Sequence, residues 1–387
     1  MGAEGASRTL FPIKRIRIPM FERIQKFRRD LHQIPELDFD LPKTTAYVKS
    51  VLETLPCEVF SPDSRALCAW FDAGADTSVA FRSDMDALPI CEVSGVPFAS
   101  KHEGRMHACG HDGHMAMVLE LAHYVASVKD RLKENVLLVF QPAEETTCGA
   151  QFICSSGVFA QKKVRAIYGF HLWPDLPLGQ PSTRPGPLLA ASSEVTVDIE
   201  GKSTHIAKSE DGADALLAAS RFVTGAEKIL DDLHEAEGPW CTLKFGLLKA
   251  GTVRNAIAAR AHLEGSLRVF SESAYHMGSK RLIELGEQIS RDLGVKVHVD
   301  APQGYPPVIN NEALFEDAKN RLPELELLAK PLLIAEDFAY YQRTLPGLFI
   351  LLGTGTGIPL HSDRFNFDEK VLEKGVEIYK RMIDLKD

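Results

Sequence analysis

The chain has 387 residues and lacks most of the features that would place it in a class at once. Its seven cysteines (Cys57, Cys68, Cys91, Cys109, Cys148, Cys154 and Cys241) are odd in number and contain no CxxC pair. That argues against a disulfide framework and for a reducing compartment. No apolar stretch approaches the roughly 18 residues of a membrane span. Positive charge is not in excess. With 44 basic and 53 acidic side chains the net charge is −9, which argues against nucleic acid or an anionic membrane as a partner. There is no GxGxxG after a strand and no GxSxG elbow. The glycine-rich GTGTG (353–357) lacks the lysine of a phosphate loop. Dinucleotide redox chemistry, serine hydrolysis and nucleotide binding therefore have no motif to rest on. Repeats and low-complexity tracts are missing too. Residues 1–20 carry basic and small side chains without the apolar block of a signal peptide, and read as a loose leader. The expected location is cytoplasmic.

What is present is a 45% hydrophobic chain long enough for a sizeable core and for about two domains. From Phe21 to about Pro181, helical patterns alternate with strand candidates at 78–86, 135–145 and 166–174. These runs are continuously apolar, as strands buried on both faces are, which predicts an α/β domain with a largely parallel sheet. The helix between the first two spans 114–128. A Pro/Gly/Ser-rich segment at 181–190 reads as a hinge. Beyond it the pattern changes. SEVTVDIEG (193–201) alternates with period two, putting Val195, Val197 and Ile199 on one face. A helix at 211–234, strands at 241–249 and 259–270, a helix at 271–294 and a strand at 295–300 follow. This β-α-β-β-α-β order is that of a ferredoxin-like α+β unit. A second Pro-rich hinge at 301–308 leads back to a helix from about Asn311, the buried-type strand 347–353 and a C-terminal helix from Asp368. The expected layout is one discontinuous catalytic domain, residues 21–184 and 301–387, interrupted by residues 185–300.

Thirteen histidines are the conspicuous feature, and several crowd with acids. MHACGHDGHM (106–115) holds His107, Cys109, His111, Asp112 and His114, all potential metal ligands, and spacing alone does not choose among them. Glu144 and Glu145 follow a buried strand, where adjacent carboxylates are costly without a cation. One could ligate metal while the other serves as general base. His171 and His361 also lie at or beyond strand ends, as do Asp84 and Asp86. Ligands gather outside the carboxyl ends of strands in open α/β sheets, so this convergence points to a binuclear metal centre.

The ordered set RRDLHQIPEL, FRSDMDALPI, MHACGHDGHM, FQPAEE, FHLWP, GKSTHIAKSEDGADA, GTVRNAIAARAHLEGSLR, AEDFAYY and LHSDRFNFDE resembles the amidohydrolase branch of the zinc-dependent aminoacylase/carboxypeptidase superfamily. That branch includes N-acyl-amino-acid amidohydrolases, hippurate hydrolases, auxin-conjugate hydrolases and N-acetyldiaminopimelate deacetylases. The resemblance implies a zinc-exopeptidase-like α/β catalytic domain with an inserted ferredoxin-like lid that also forms a homodimer. It implies that Cys109, His111, Glu145, His171 and His361 hold two divalent ions (Zn²⁺ or Mn²⁺), with Glu144 as general base and Asp84, Asp86 and Asp112 orienting the ligands. In the lid it assigns His205 to the scissile carbonyl, often across the dimer, and Asn255 and Arg268 to the carboxylate end of the substrate. The chain departs from the branch's GGHAAxPH pattern with STHIAKSE, placing Ser209 and Glu210 where proline and a second histidine are common. The implied activity is hydrolysis of an N-acyl amino acid to a carboxylic acid and a free amino acid. A dipeptidase or aminopeptidase of the same superfamily is the alternative.

Overall fold

The run NVLLVFQ forms the strand Asn135–Gln141, and every residue in it is buried. Val136, Leu138 and Phe140 face one hydrophobic core while Leu137 and Val139 face another. That two-sided burial is why the run shows no alternation. The computed structural model describes residues 18–386 except Thr147, so the leader through residue 17 lies outside the described residues.

In chain order the strands are β1 (Glu58–Phe60), β2 (Leu67–Phe71), β3 (Ser78–Asp84), β4 (Asn135–Gln141), β5 (Val164–Trp173), β6 (Pro181–Thr183) and β7 (Gly186–Leu189). They continue as β8 (Ala191–Glu200), β9 (Thr242–Ala250), β10 (Arg260–Val269), β11 (Lys296–Asp300), β12 (Val308–Asn310), β13 (Glu326–Leu327) and β14 (Gly347–Gly353). The main sheet runs β1-β2-β4-β3-β5-β14-β6-β13. Its centre, β4-β3-β5-β14, is parallel, and antiparallel pairs enter only through β1, β2 and β6. Helices Met20–His32, His111–Val128 and Lys370–Arg381 cover one face. Gly149–Ser155, Val158–Gln161 and Phe338–Thr344 cover the other.

Between β8 and β11 lies a four-stranded antiparallel sheet of order β11-β8-β10-β9. Two helices, Ala215–Glu237 and Glu272–Leu293, pack on it. Asp214 caps the first by accepting from the Leu216 and Leu217 amides, so the helix begins later than the periodicity predicts. Ser271 caps the second, as its position predicts. Val195, Val197 and Ile199 are each at most 1% exposed against those helices. The two Pro-rich connections are not open loops. β7 and β12 pair with each other as an antiparallel ribbon.

Candidate metal centre and active-site cleft

Three turns at the carboxyl edge of the main sheet, with His171 contributed from within β5, bring the polar residues together. Gly110 caps the helix that starts at His111 with φ +87°, a left-handed conformation costly for any other residue. A Cβ there would also meet Leu172 Cδ1 at 3.2 Å. This turn separates Cys109 from His111 and lets both face one space. After β4 the chain turns sharply, with Ala143 at φ +55°. The strand therefore stops at Gln141, short of the glutamates to which its apolar run extends. Asp86 holds the turn, its Oδ1 accepting from the Glu144 amide and its Oδ2 from the Glu145 amide, each at 3.0 Å. His361, at φ +64°, donates its amide to the Ala108 carbonyl at 2.9 Å, tying the glycine-rich loop beside Cys109.

The ligand atoms of Cys109, His111 and His171 lie within 4.8 Å of one another, as do those of Cys109, Glu145 and His361. Cys109 Sγ is 3.3 Å from His171 Nε2, and Glu145 Oε1 is 3.4 Å from His361 Nε2 and 3.8 Å from His111 Nε2. The structure thus collects all five residues that the resemblance names as ligands.

Hydrogen bonding selects among the histidines. His111 Nδ1 donates to the Asp86 carbonyl at 2.8 Å and His171 Nδ1 to the Leu172 carbonyl at 2.7 Å, leaving each Nε2 toward the centre. His111 Nε2 and Glu145 Oε1 are buried without a hydrogen bond among the described residues. Such orphan atoms are costly, and a cation between them would satisfy both. His114 differs. Its Nε2 accepts from the Leu172 amide at 3.0 Å and its Nδ1 donates to Asp84 at 2.7 Å, so no lone pair remains for a metal. His107 is buried and belongs to none of these groups. Asp112 faces away from the centre, accepting from His32 Nδ1 at 2.8 Å and Arg28 Nε at 3.3 Å. It anchors the His111 helix from behind rather than touching a ligand.

The centre is strongly anionic. Burial opposes charge on His111, but Asp84, Asp86 and Glu145 outweigh it and raise its pKa to about 10. Burial lowers His171 to about 3, leaving a neutral donor. Burial, followed by Glu145, Glu144 and Asp84, holds the Cys109 thiol well above its ordinary range. Burial with Glu336, Glu145 and Asp337 raises Glu144 in the same way. The buried cation near these acids is Arg82, bonded to Asp84 at 2.6 Å and to Glu336 and Asp337 at 2.9 Å each. A neutral donor at His171, unpartnered buried atoms on His111 and Glu145, and the anionic field that draws positive charge to His111 fit a pair of divalent cations.

Sequence reasoning missed Arg82, Glu336, Asp337 and Tyr305. Arg82 had a signal, since an arginine within a strand otherwise reading as buried must be paired. Tyr305 had none, because its partner is distant in sequence: its hydroxyl donates to the Glu144 carbonyl.

A cavity of about 550 Å³ opens over the centre. Cys109, Glu144, Glu145, His171 and His361 line it together with Arg268, Tyr305, Leu189, Leu333, Ile334 and Leu360. A larger depression of about 750 Å³ on the open face of the inserted sheet contains none of the donors. Arg268 is therefore brought to the cleft, where its Nε donates to Ser266 at 3.1 Å. His205 and Asn255 are not. Both are exposed, joined through the Ile206 amide and Asn255 carbonyl at 3.1 Å, and neither lines this cavity.

Residues 80–385 match the profile of "Peptidase family M20/M25/M40". An N-acetyldiaminopimelate deacetylase of Streptococcus uberis is 36% identical over 92% of this chain and 97% of its own. That of Lacticaseibacillus paracasei is 37% identical over 90% and 94%. The crystal structure of a dinuclear metal-binding peptidase of the M20 family from Bacillus subtilis superposes with a TM-score of 0.82 at 30% identity, covering 94% of this chain and 97% of that one. With the profile and whole-length relatives in agreement, the chain belongs to peptidase family M20/M25/M40.

Proposed function

We infer that the chain is a metal-dependent amidohydrolase that cleaves the amide bond of an N-acyl amino acid, releasing a carboxylic acid and a free amino acid. One observation carries this reading. A buried donor set with two orphan polar atoms, His111 Nε2 and Glu145 Oε1, adjoins a buried glutamate that is not needed as a ligand. Similarity to two N-acetyldiaminopimelate deacetylases supports it.

Cys109, His111, Glu145, His171 and His361 would hold two divalent ions, Zn²⁺ or Mn²⁺. Bound there, the ions would polarise the scissile carbonyl and lower the pKa of the attacking water from 15.7 to about 7. Glu144 takes the proton from that water on a carboxylate oxygen and returns it to the leaving nitrogen. Asp86 fixes the Glu144 backbone from one side and Tyr305 from the other, so the base is positioned before substrate arrives. Arg268 receives the substrate carboxylate, as its place in the cleft supports. His205 and Asn255 reach the site of a second copy, a reading supported by their exposure and their separation from the cleft of their own chain. This makes the working unit a homodimer built through the inserted unit. Among the described residues no helix is long and apolar enough to cross a membrane, and we place the enzyme in the cytoplasm.

The test is metal analysis coupled to a panel of N-acetyl amino acids, N-benzoyl amino acids and dipeptides, with Zn²⁺ or Mn²⁺ added. Two metals per chain and turnover of N-acyl amino acids are expected. Dipeptide turnover alone would replace the reading with that of a peptidase.

A further inference from the structure

His361 sits on the least regular backbone of the donor set. His111 opens a helix and His171 lies within β5, but residues 354–369 belong to no helix or strand. The His361 side chain is 52% exposed, against 1% for His111 and 8% for Glu145. A ligand on such a segment holds an ion well only if its backbone is fixed beforehand, because ordering it on binding costs affinity.

Two motifs that the donor set leaves largely unused supply that fixing. RRDLHQIPEL (28–37) contributes Arg28, and LHSDRFNFDE (360–369) contributes the chain beyond His361. Arg28 is 1% exposed. Its Nη2 donates to Asn366 Oδ1 at 2.7 Å, its Nη1 to the Phe367 carbonyl at 3.3 Å and its Nε to Asp112 Oδ2 at 3.3 Å. Its guanidinium carbon lies 3.7 Å from the centre of the Phe367 ring, and Glu369 Oε1 is 3.5 Å from Nη1. One buried fork thus joins the first turn of the His111 helix to the segment that carries His361. The rigid planar spread of donors makes this possible, and a lysine would lack it. A second tie runs beside it. His32 bonds Asp112 at 2.8 Å and Glu92 at 3.1 Å, and the adjacent Val93 amide donates to the Asp363 carbonyl at 2.8 Å. None of these bonds ends on a ligand side chain.

Resting on the reading that Cys109, Glu145 and His361 hold one of two ions, we propose that Arg28 is a positioning residue of the metal centre. It holds the His361 segment against the His111 helix and so tightens the ion at Cys109, Glu145 and His361.

The experiment measures Zn²⁺ affinity at both sites by chelator competition on the full chain. Wild type is compared with Arg28→Lys, Asn366→Ala, His361→Ala and the Asn366→Ala/His361→Ala double variant, and far-UV circular dichroism checks that each is folded. Asn366→Ala cuts the tie on the His361 side and leaves Arg28 paired with Asp112, so it decides the matter if Arg28→Lys does not fold. Expected is a loss of roughly 10- to 100-fold at one ion in either single variant, with the other ion held. Adding Asn366→Ala to His361→Ala should cost nothing further, since its effect runs through that ligand. Unchanged affinities, equal weakening of both ions, or the same loss with His361 already removed overturns the positioning role. A wild type that binds no Zn²⁺ overturns the metal reading and this role with it. Two ions bound without turnover of any N-acyl amino acid overturns the hydrolase reading alone.

Discussion

The metal centre and the His205–Asn255 corner of the inserted unit are built in opposite ways. At the centre, side chains from several elements converge, nearly all are buried, and long-range partners hold much of the site, as Glu336 and Asp337 hold Arg82 and Asp86 holds the Glu144–Glu145 turn. At the corner, two exposed residues are held mainly through backbone: His205 Nδ1 accepts from the Ala207 amide at 3.1 Å, and the Asn255 carbonyl accepts from the Ile206 amide at 3.1 Å. The centre is complete within one chain. The corner is exposed and lines no part of the cleft of its own chain.

Glu144→Gln should lower kcat by roughly 10²- to 10⁴-fold while both metals stay bound, because the glutamate handles a proton rather than a ligand. Metal loss with the activity would merge base and ligand roles. His205→Ala should cost roughly 10²- to 10³-fold, the range for one donor to a developing oxyanion. Mixing His205→Ala with Glu144→Gln subunits should restore activity if the corner serves a second copy, whereas no recovery would assign His205 to its own chain. Behind the centre, burial opposes charge on His32, but Asp112 and Glu92 outweigh it and raise its pKa from 6.5 to about 9. A raised folded pKa stabilises fully below pH 6.5, and that contribution is lost as pH rises through 9. It amounts to about 3 kcal/mol at about 1.4 kcal/mol per unit. Urea titrations of wild type and His32→Gln between pH 6 and 10 should converge as pH increases. Asp86→Ala frees the glutamate turn and should weaken metal affinity roughly 10- to 100-fold, measured by chelator competition. Smallest is Tyr305→Phe, which removes one hydrogen bond of about 1 kcal/mol. A severalfold fall in kcat with KM unchanged would show the tyrosine acting on the base.

Much of the architecture is legible in the chain because hydrophobic period reports burial directly. SEVTVDIEG alternates since one face of its sheet is wet, and NVLLVFQ does not since both faces of its strand are covered. The candidate cluster is legible because metal-type side chains crowd together in the sequence, but which of them would be ligands was given by the resemblance rather than by spacing. Strand ends were harder. The apolar runs extend to Asp86 and Glu145, but the backbone leaves the sheet after Asp84 and Gln141, so that Asp86 braces the turn that brings Glu144 and Glu145 to the cleft. Tyr305 was invisible for a different reason: its role depends on which loop the second connection crosses, and no local pattern encodes a crossing.

The ribbon of β7 and β12 governs how the two halves can move. A body hung from two independent strings can twist, tilt and slide. Here the strings are laced together, and they meet again where the Ser192 amide donates to the Tyr305 carbonyl at 3.0 Å and the Tyr305 amide to Ser192 Oγ at 3.2 Å. Such a mounting ties the two connections to each other, so neither can shift without the other, and Tyr305, bonded to Ser192 on one side and to the Glu144 carbonyl on the other, links that mounting directly to the base.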